Sequence, residues 1–273
     1  MGHARLEARA VVVTPASSWA GSSWAEAVFH VLAHVDAGRL ASSCHDPGWI
    51  AYAGAHFGPA SQRELSDDAA LLSRHLNTHD LLARAQSLAW LWTAAEARAQ
   101  AAHDLASLFS RSPVRASLLA LGPAAEVLRA AAELELALLE SLPPIAIAPA
   151  LSPALASLLP VSPTLASCSL ALIRPLPRRG RLHDTTIAIG VPGVAGATTE
   201  RVAWQAAHEA TVLEVQRAPH AAPLGYADLE RRALALLRAR ARRCGLGEAH
   251  ARWLATLDLT ALGPIPDVDD APD

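Results

Sequence analysis

The chain contains 273 residues, of which 52% are hydrophobic, 18% charged and only 4% aromatic, so it can bury a sizeable core without disulfides or a structural metal. All 23 basic residues are arginines, and the lack of lysine excludes Schiff-base chemistry, pyridoxal-phosphate anchoring, Walker-type phosphate loops and kinase-type ATP sites. The formal charge of −3 argues against a nucleic acid partner.

The cysteines and the apolar segments of the sequence indicate in which cellular compartment we expect the protein. Three scattered cysteines fit a reducing environment, and no signal-peptide core is found, so we expect a cytoplasmic protein. The longest uncharged apolar stretch, residues 142–171, is interrupted repeatedly by proline, and no membrane-spanning helix is predicted there. The substrate, the protein partner and the oligomeric state do not follow from these properties.

The periodicity of the chain predicts a mainly α (α+β) protein, a multi-helix bundle with a small antiparallel sheet. Residues 6–13 end in three valines and form a candidate N-terminal strand. Ser23 and Glu26 have the spacing of a capping box, which predicts a helix from there to about Asp36. Further helices are predicted at residues 66–76, 80–109, 114–121 and 123–141.

The second half of the chain contains the clearest strand pattern. Residues 143–163 form a proline-rich connector. Residues 169–174 and 182–191 favour strands, and the loop between them predicts an antiparallel hairpin within 168–191, which the N-terminal strand could join. Helices are predicted at 200–216, 226–244 and 248–257. We expect one domain over residues 1–262 and a disordered acidic tail over 263–273.

The first candidate site is the histidine pair His30 and His34. Positions i and i+4 of a helix project from the same face, so both imidazoles can reach one metal ion. Apolar neighbours indicate that this face is buried, where an imidazole needs a hydrogen-bond partner or a metal. Ordinary core histidines are the alternative explanation.

The second candidate site is the step His208-Glu209. It lies in a segment that is apolar almost all round, and a buried carboxylate beside a buried imidazole must be paired or coordinated. The step resembles the start of the metallopeptidase signature His-Glu-x-x-His. Val212 stands where that signature has its second histidine, so the chain is not assigned to those enzymes.

Together the two candidates suggest one composite metal centre. If the two helices face each other, His30 and His34 with His208 or Glu209 would hold zinc or another divalent transition metal. Glu209 is either a ligand or the catalytic base that activates a bound water. The turn Cys44-His45-Asp46 offers His45 and Asp46 as additional ligands. This hypothesis predicts a metal-dependent hydrolase.

The alternative hypothesis is a non-catalytic helical scaffold or interaction protein with a structural His/Glu core. Arginines recur along residues 231–243, beside an apolar side, and most simply form a solvated face. With Arg178, Arg179 and Arg181 they could instead bind an acidic partner. No dinucleotide-binding glycine motif, serine nucleophile elbow or paired-cysteine motif supports any other chemistry.

Overall fold

A computed structural model describes residues 15–36, 46–91, 120–142, 145, 148–176, 180–183, 185–191, 198–218, 225–257 and 265. Within these ranges helices surround a three-stranded sheet, which confirms the mainly α, α+β class. The α-helices are α1 (Pro15–Asp36), α2 (Pro47–His75), α3 (His79–Leu91), α4 (Pro123–Glu140), α5 (Ala148–Leu158), α6 (Thr199–Arg217), α7 (Tyr226–Arg243) and α8 (Gly247–Leu254). The remaining elements are a short 3-10 helix (Pro163–Ser167), β1 (Ser169–Ile173), β2 (Gly180–His183) and β3 (Thr186–Gly190).

Helices α1 and α2 both begin earlier than the sequence predicts. The capping box at Ser23 is wrong, because α1 already runs from Pro15. Helix α2 begins at Pro47 rather than near residue 66. The side chain of Asp46 caps it by accepting the N–H of Gly48 at 2.8 Å, and Pro47 occupies the first turn, where a missing N–H costs nothing. Gly58, at φ 74°, kinks the helix.

The predicted antiparallel pairing of residues 169–174 with residues 182–191 is wrong, although an antiparallel hairpin does lie within residues 168–191 and is formed by β2 and β3. Strand β3 lies in the middle of the sheet and runs parallel to β1 and antiparallel to β2. The segment predicted as one strand over residues 182–191 contains two strands, β2 and β3. The short connection between His183 and Thr186 reverses the chain, so β2 and β3 pair antiparallel. The sheet is therefore mixed, because the chain passes from β1 to the far edge before it returns to the centre.

The sheet separates two apolar clusters. Helices α1 to α4 pack on one face to form what we call the first core, which includes Ala171, Ile173 and Ala188 of the strands. Helices α5 to α8 pack on the other face around Leu172 and Ile187 to form the second core. Side chains alternate between the two faces along each strand, so a helix that contacts one face lies across the sheet from a helix on the other.

Several predicted features lie outside the described residues, namely the strand at residues 6–13, the turn at 44–45 and almost all of the tail. Among the helices that the structure describes, none is long and apolar enough to cross a membrane.

Candidate functional site

His30 lies in the first core with both ring nitrogens directed at side chains of other helices. The indole N–H of Trp49, in α2, donates to His30 Nδ1 at 2.9 Å. On the other side His30 Nε2 lies 3.5 Å from Glu135 Oε2 of α4. Because Nδ1 accepts a hydrogen bond, the neutral ring must carry its proton on Nε2, facing the carboxylate. His30 is 1% exposed, so these contacts replace water.

His34 follows one turn later, and the two imidazole rings meet edge to face with centroids 5.0 Å apart. The predicted i, i+4 pair is thus on one face of α1. The two rings and Glu135 line a narrow cleft between α1, α2 and α4. Its other lining residues are Ala53, Gly54, Phe57, Gln62 and Leu65.

A buried carboxylate on α1 joins this helix to the sheet. Glu26 accepts the backbone N–H of Arg174 at 3.0 Å and pairs with its guanidinium at 2.9 Å. Burial raises the pKa of Glu26 to about 7, against the opposing effects of the Arg174 charge and N–H. The next residue, Pro175, accepts the N–H of Asp46 at 2.8 Å. Asp46 therefore caps α2 and ties it to the end of β1.

His208 lies in the second core between two carboxylates. Its Nε2 is 3.1 Å from Glu230 Oε2 of α7, and its Nδ1 is 3.6 Å from Glu209 Oε1. Burial acts to lower the pKa of His208, but the carboxylates of Glu209 and Glu230 outweigh it and raise the pKa to about 9. The ring is consequently an imidazolium at neutral pH, with a proton on each nitrogen.

Glu209 is held by its neighbours as well as by His208. Gln205 Nε2 donates to Glu209 Oε1 at 2.8 Å. A methyl group built on Gly180 would overlap the side chain of Glu209. Glycine at this position of β2 is therefore what allows the carboxylate to lie against the strand.

The second core contains another buried histidine, which is neutral. His250 of α8 packs against Trp204 and Trp253, with ring centroids 5.3 Å and 5.5 Å away. Burial, followed by the charges of Arg238, His208 and Arg242, lowers the pKa of His250 to about 4. His250 is thus neutral where His208 is charged.

The composite metal centre is wrong, because α1 and α6 pack on opposite faces of the sheet. The structure brings His30 and His34 together with Glu135, and His208 together with Glu209 and Glu230. It does not bring the two groups into one site. Asp46 serves as a helix cap and His45 lies outside the described residues. Among the residues that are described, no three His, Cys, Asp or Glu side chains are placed to hold one metal ion.

Sequence reasoning missed the partners of both histidines. Trp49, Glu135 and Glu230 each lie on a different helix from the histidine that they contact. Glu135 carried one usable signal, since it is the charged member of a buried face of α4. Glu230 had the same signal, a carboxylate on the apolar side of α7.

No family model, curated protein or solved structure matches the chain.

Proposed function

We propose that this chain is a non-catalytic helical scaffold, in which buried histidine–carboxylate clusters hold the helices to a small central sheet. The observation that carries the proposal is that each ring nitrogen of His30 faces a protein group. Trp49 donates to Nδ1 at 2.9 Å, and the Glu135 carboxylate lies 3.5 Å from Nε2. Trp49 can only donate a hydrogen bond, so it fixes Nδ1 as the acceptor and leaves the proton on Nε2. A ring in that state has no free lone pair with which to bind a metal or take a proton from a substrate.

The His208 cluster supports the same proposal by a different route. An imidazolium with carboxylates beside both nitrogens has no lone pair, and a metal could bind only after displacing a proton that two buried carboxylates stabilise. Removing the histidine would leave those carboxylates buried without a cation. The cluster links α6 to α7, and Glu26 with Arg174 links α1 to the sheet.

A zinc-dependent hydrolase is the second candidate, and one observation favours it. His30, His34, Gln62 and Glu135 line one cleft, and 3.5 Å between His30 Nε2 and Glu135 Oε2 is close to the ~3.3 Å expected between two ligands on one tetrahedral zinc ion. Zinc binding at Nε2 would require a proton on Nδ1, which then faces the N–H of Trp49. The second candidate therefore requires Trp49 to turn away.

Zinc titration of the full chain separates the two candidates. The measurement is elemental analysis after incubation with zinc and removal of excess metal, with His30→Ala/His34→Ala as the matched control. The scaffold proposal expects no stoichiometric zinc in either protein. One zinc per chain in the wild type, lost in the double variant, would overturn the proposal and support the hydrolase.

A further inference from the structure

The outer side of α7 carries arginines that have no acidic partner within the described part of the chain. Helix α7 contains six arginines and only two acidic residues. Arg232, Arg242 and Arg243, which we call the arginine surface, are exposed. None of the three forms an ion pair with a described carboxylate. The arginine surface is therefore a patch of positive charge that these parts of the fold do not neutralise.

The carboxylates on and beside α7 are already paired with other groups. Asp228 pairs with Arg231. Glu214 of α6 holds Arg240 through two contacts, at 2.8 Å and 2.5 Å. Glu230, the other acidic residue of α7, faces the buried imidazolium of the second core. These pairs keep their carboxylates away from the arginine surface.

Apolar side chains lie between two of the exposed arginines. Arg232, Leu236, Ala239 and Arg243 follow the i, i+4, i+7, i+11 spacing of a single helix side. Leu236 and Ala239 are half-buried and belong to none of the apolar clusters of the described fold. The arginines at the two ends are about 16 Å apart along the helix axis. This side of α7 therefore offers an apolar contact between two cations.

The arginines of the β1–β2 region do not extend this surface. Arg181 donates to Gln86 of α3 at 2.7 Å, on the face of the sheet opposite α7. The predicted combined patch is therefore wrong for Arg181, while Arg178 and Arg179 lie outside the described residues.

The chemistry of this side of α7 fits an acidic protein segment better than a nucleic acid. A guanidinium binds a carboxylate through two parallel hydrogen bonds, and about five residues of an extended chain span ~16 Å. A nucleic acid is disfavoured because the formal charge of −3 on the chain repels a polyanion. The four positions between and including the two arginines also contain no aromatic ring on which a base could stack.

We propose that the arginine surface of α7 binds an acidic segment of a partner protein, with carboxylates on Arg232 and Arg243 and an apolar side chain on Leu236. Each exposed ion pair contributes little free energy, so the complex is weak and sensitive to salt. The proposal goes beyond the scaffold function and does not depend on it, because no buried histidine takes part.

Fluorescence anisotropy tests the proposal with the full chain and a fluorescent glutamate-rich peptide that has a central leucine. We expect the wild type to bind the peptide at low salt and Arg232→Gln/Arg243→Gln to bind it about tenfold more weakly. The matched control is Arg63→Gln/Arg74→Gln, which removes the same charge from exposed positions of α2 and should leave binding unchanged. Circular dichroism should show the same helix content in all three proteins.

Three results would overturn the proposal. If the wild type does not bind the peptide, the arginine surface has no affinity for acidic segments. If both double variants lose affinity equally, the peptide responds to net charge and not to α7. If single-stranded oligothymidylate binds more tightly than the peptide and is lost in Arg232→Gln/Arg243→Gln, the surface belongs to a nucleic acid partner.

Discussion

His30 and His208 are buried on opposite faces of one sheet, with 1% and 4% of their surfaces exposed, yet they carry different charges. His30 contacts one donor and one carboxylate, whereas His208 contacts two carboxylates. The same side chain at the same burial is thus neutral on one face and cationic on the other. The comparison shows that the groups beside each ring, and not burial, set the charge of the ring.

The largest expected effect is the loss of His208. The variant His208→Leu leaves Glu209 and Glu230 buried without their cation, so we expect the free energy of unfolding to fall by about 3–5 kcal/mol. Urea unfolding followed by circular dichroism measures it. The triple variant His208→Leu/Glu209→Gln/Glu230→Gln should recover most of the loss, because it removes the unpaired charges. Equal destabilisation in both variants would show that packing, and not charge, holds this face together.

The pH dependence of stability should identify the charged histidine. The folded-state pKa of His208 is about 9, above its ordinary value of 6.5, so its contribution is fully present below about pH 6.5 and is lost as the pH rises through about 9. A shift of this size corresponds to about 3 kcal/mol. Denaturant unfolding across pH 7 to 9 should show this decline in the wild type and not in His208→Leu. A parallel decline in both would assign the titration to another group.

Glu26 and His250 also make the free energy of unfolding depend on pH, but only below about pH 7. The raised pKa of Glu26 favours the folded state below about pH 7, and its contribution declines between about 4.5 and 7 as the pH rises. The pKa of His250 is lowered, so its contribution to the free energy of unfolding increases as the pH rises from about 4 to 6.5. Because these effects oppose each other and end near pH 7, the alkaline decline can be attributed to His208.

Loss of the indole donor should have a smaller effect on the first core. Trp49→Phe removes the N–H that His30 Nδ1 accepts, leaving a buried acceptor unpaired at a cost of about 1–3 kcal/mol. The matched control is Trp253→Phe, since the buried N–H of Trp253 has no hydrogen-bond partner among the described residues. Thermal and urea unfolding should show Trp49→Phe as the more destabilising change. Equal losses would mean that only ring volume matters.

The smallest expected effect concerns the strand that supports Glu209. Gly180→Ala introduces a methyl group where the Glu209 side chain lies, so we expect about 1–2 kcal/mol of destabilisation from overpacking. In Gly247→Ala the new methyl would meet Arg242 at an ordinary 3.5 Å, so the control should be nearly neutral in the same unfolding assay. If Gly180→Ala is neutral too, Glu209 has room to move and is not fixed by β2.

The sequence was sufficient for the helices whose caps and periodicity are local, such as α4, α6 and α7. It misassigned the start of α2, because Asp46 followed by proline is a signal for a turn as well as for a helix N-terminus. It could not give the pairing direction of β1, since strand propensity carries no information about partners. The sites depended on contacts such as His30 with Trp49 and Glu135, which join three helices and leave no periodic signal in the chain.

The central claim is that both histidines are structural, His30 as a neutral ring protonated on Nε2 and His208 as an imidazolium. Long-range proton–nitrogen correlation spectra of the full chain, labelled with nitrogen-15 and assigned with His30→Ala and His208→Leu, read these states directly. Near pH 7 we expect the Nδ1 of His30 to resonate as an unprotonated nitrogen and both nitrogens of His208 to resonate as protonated. A neutral His208, or a His30 ring protonated on Nδ1 with its lone pair on Nε2, would contradict the account.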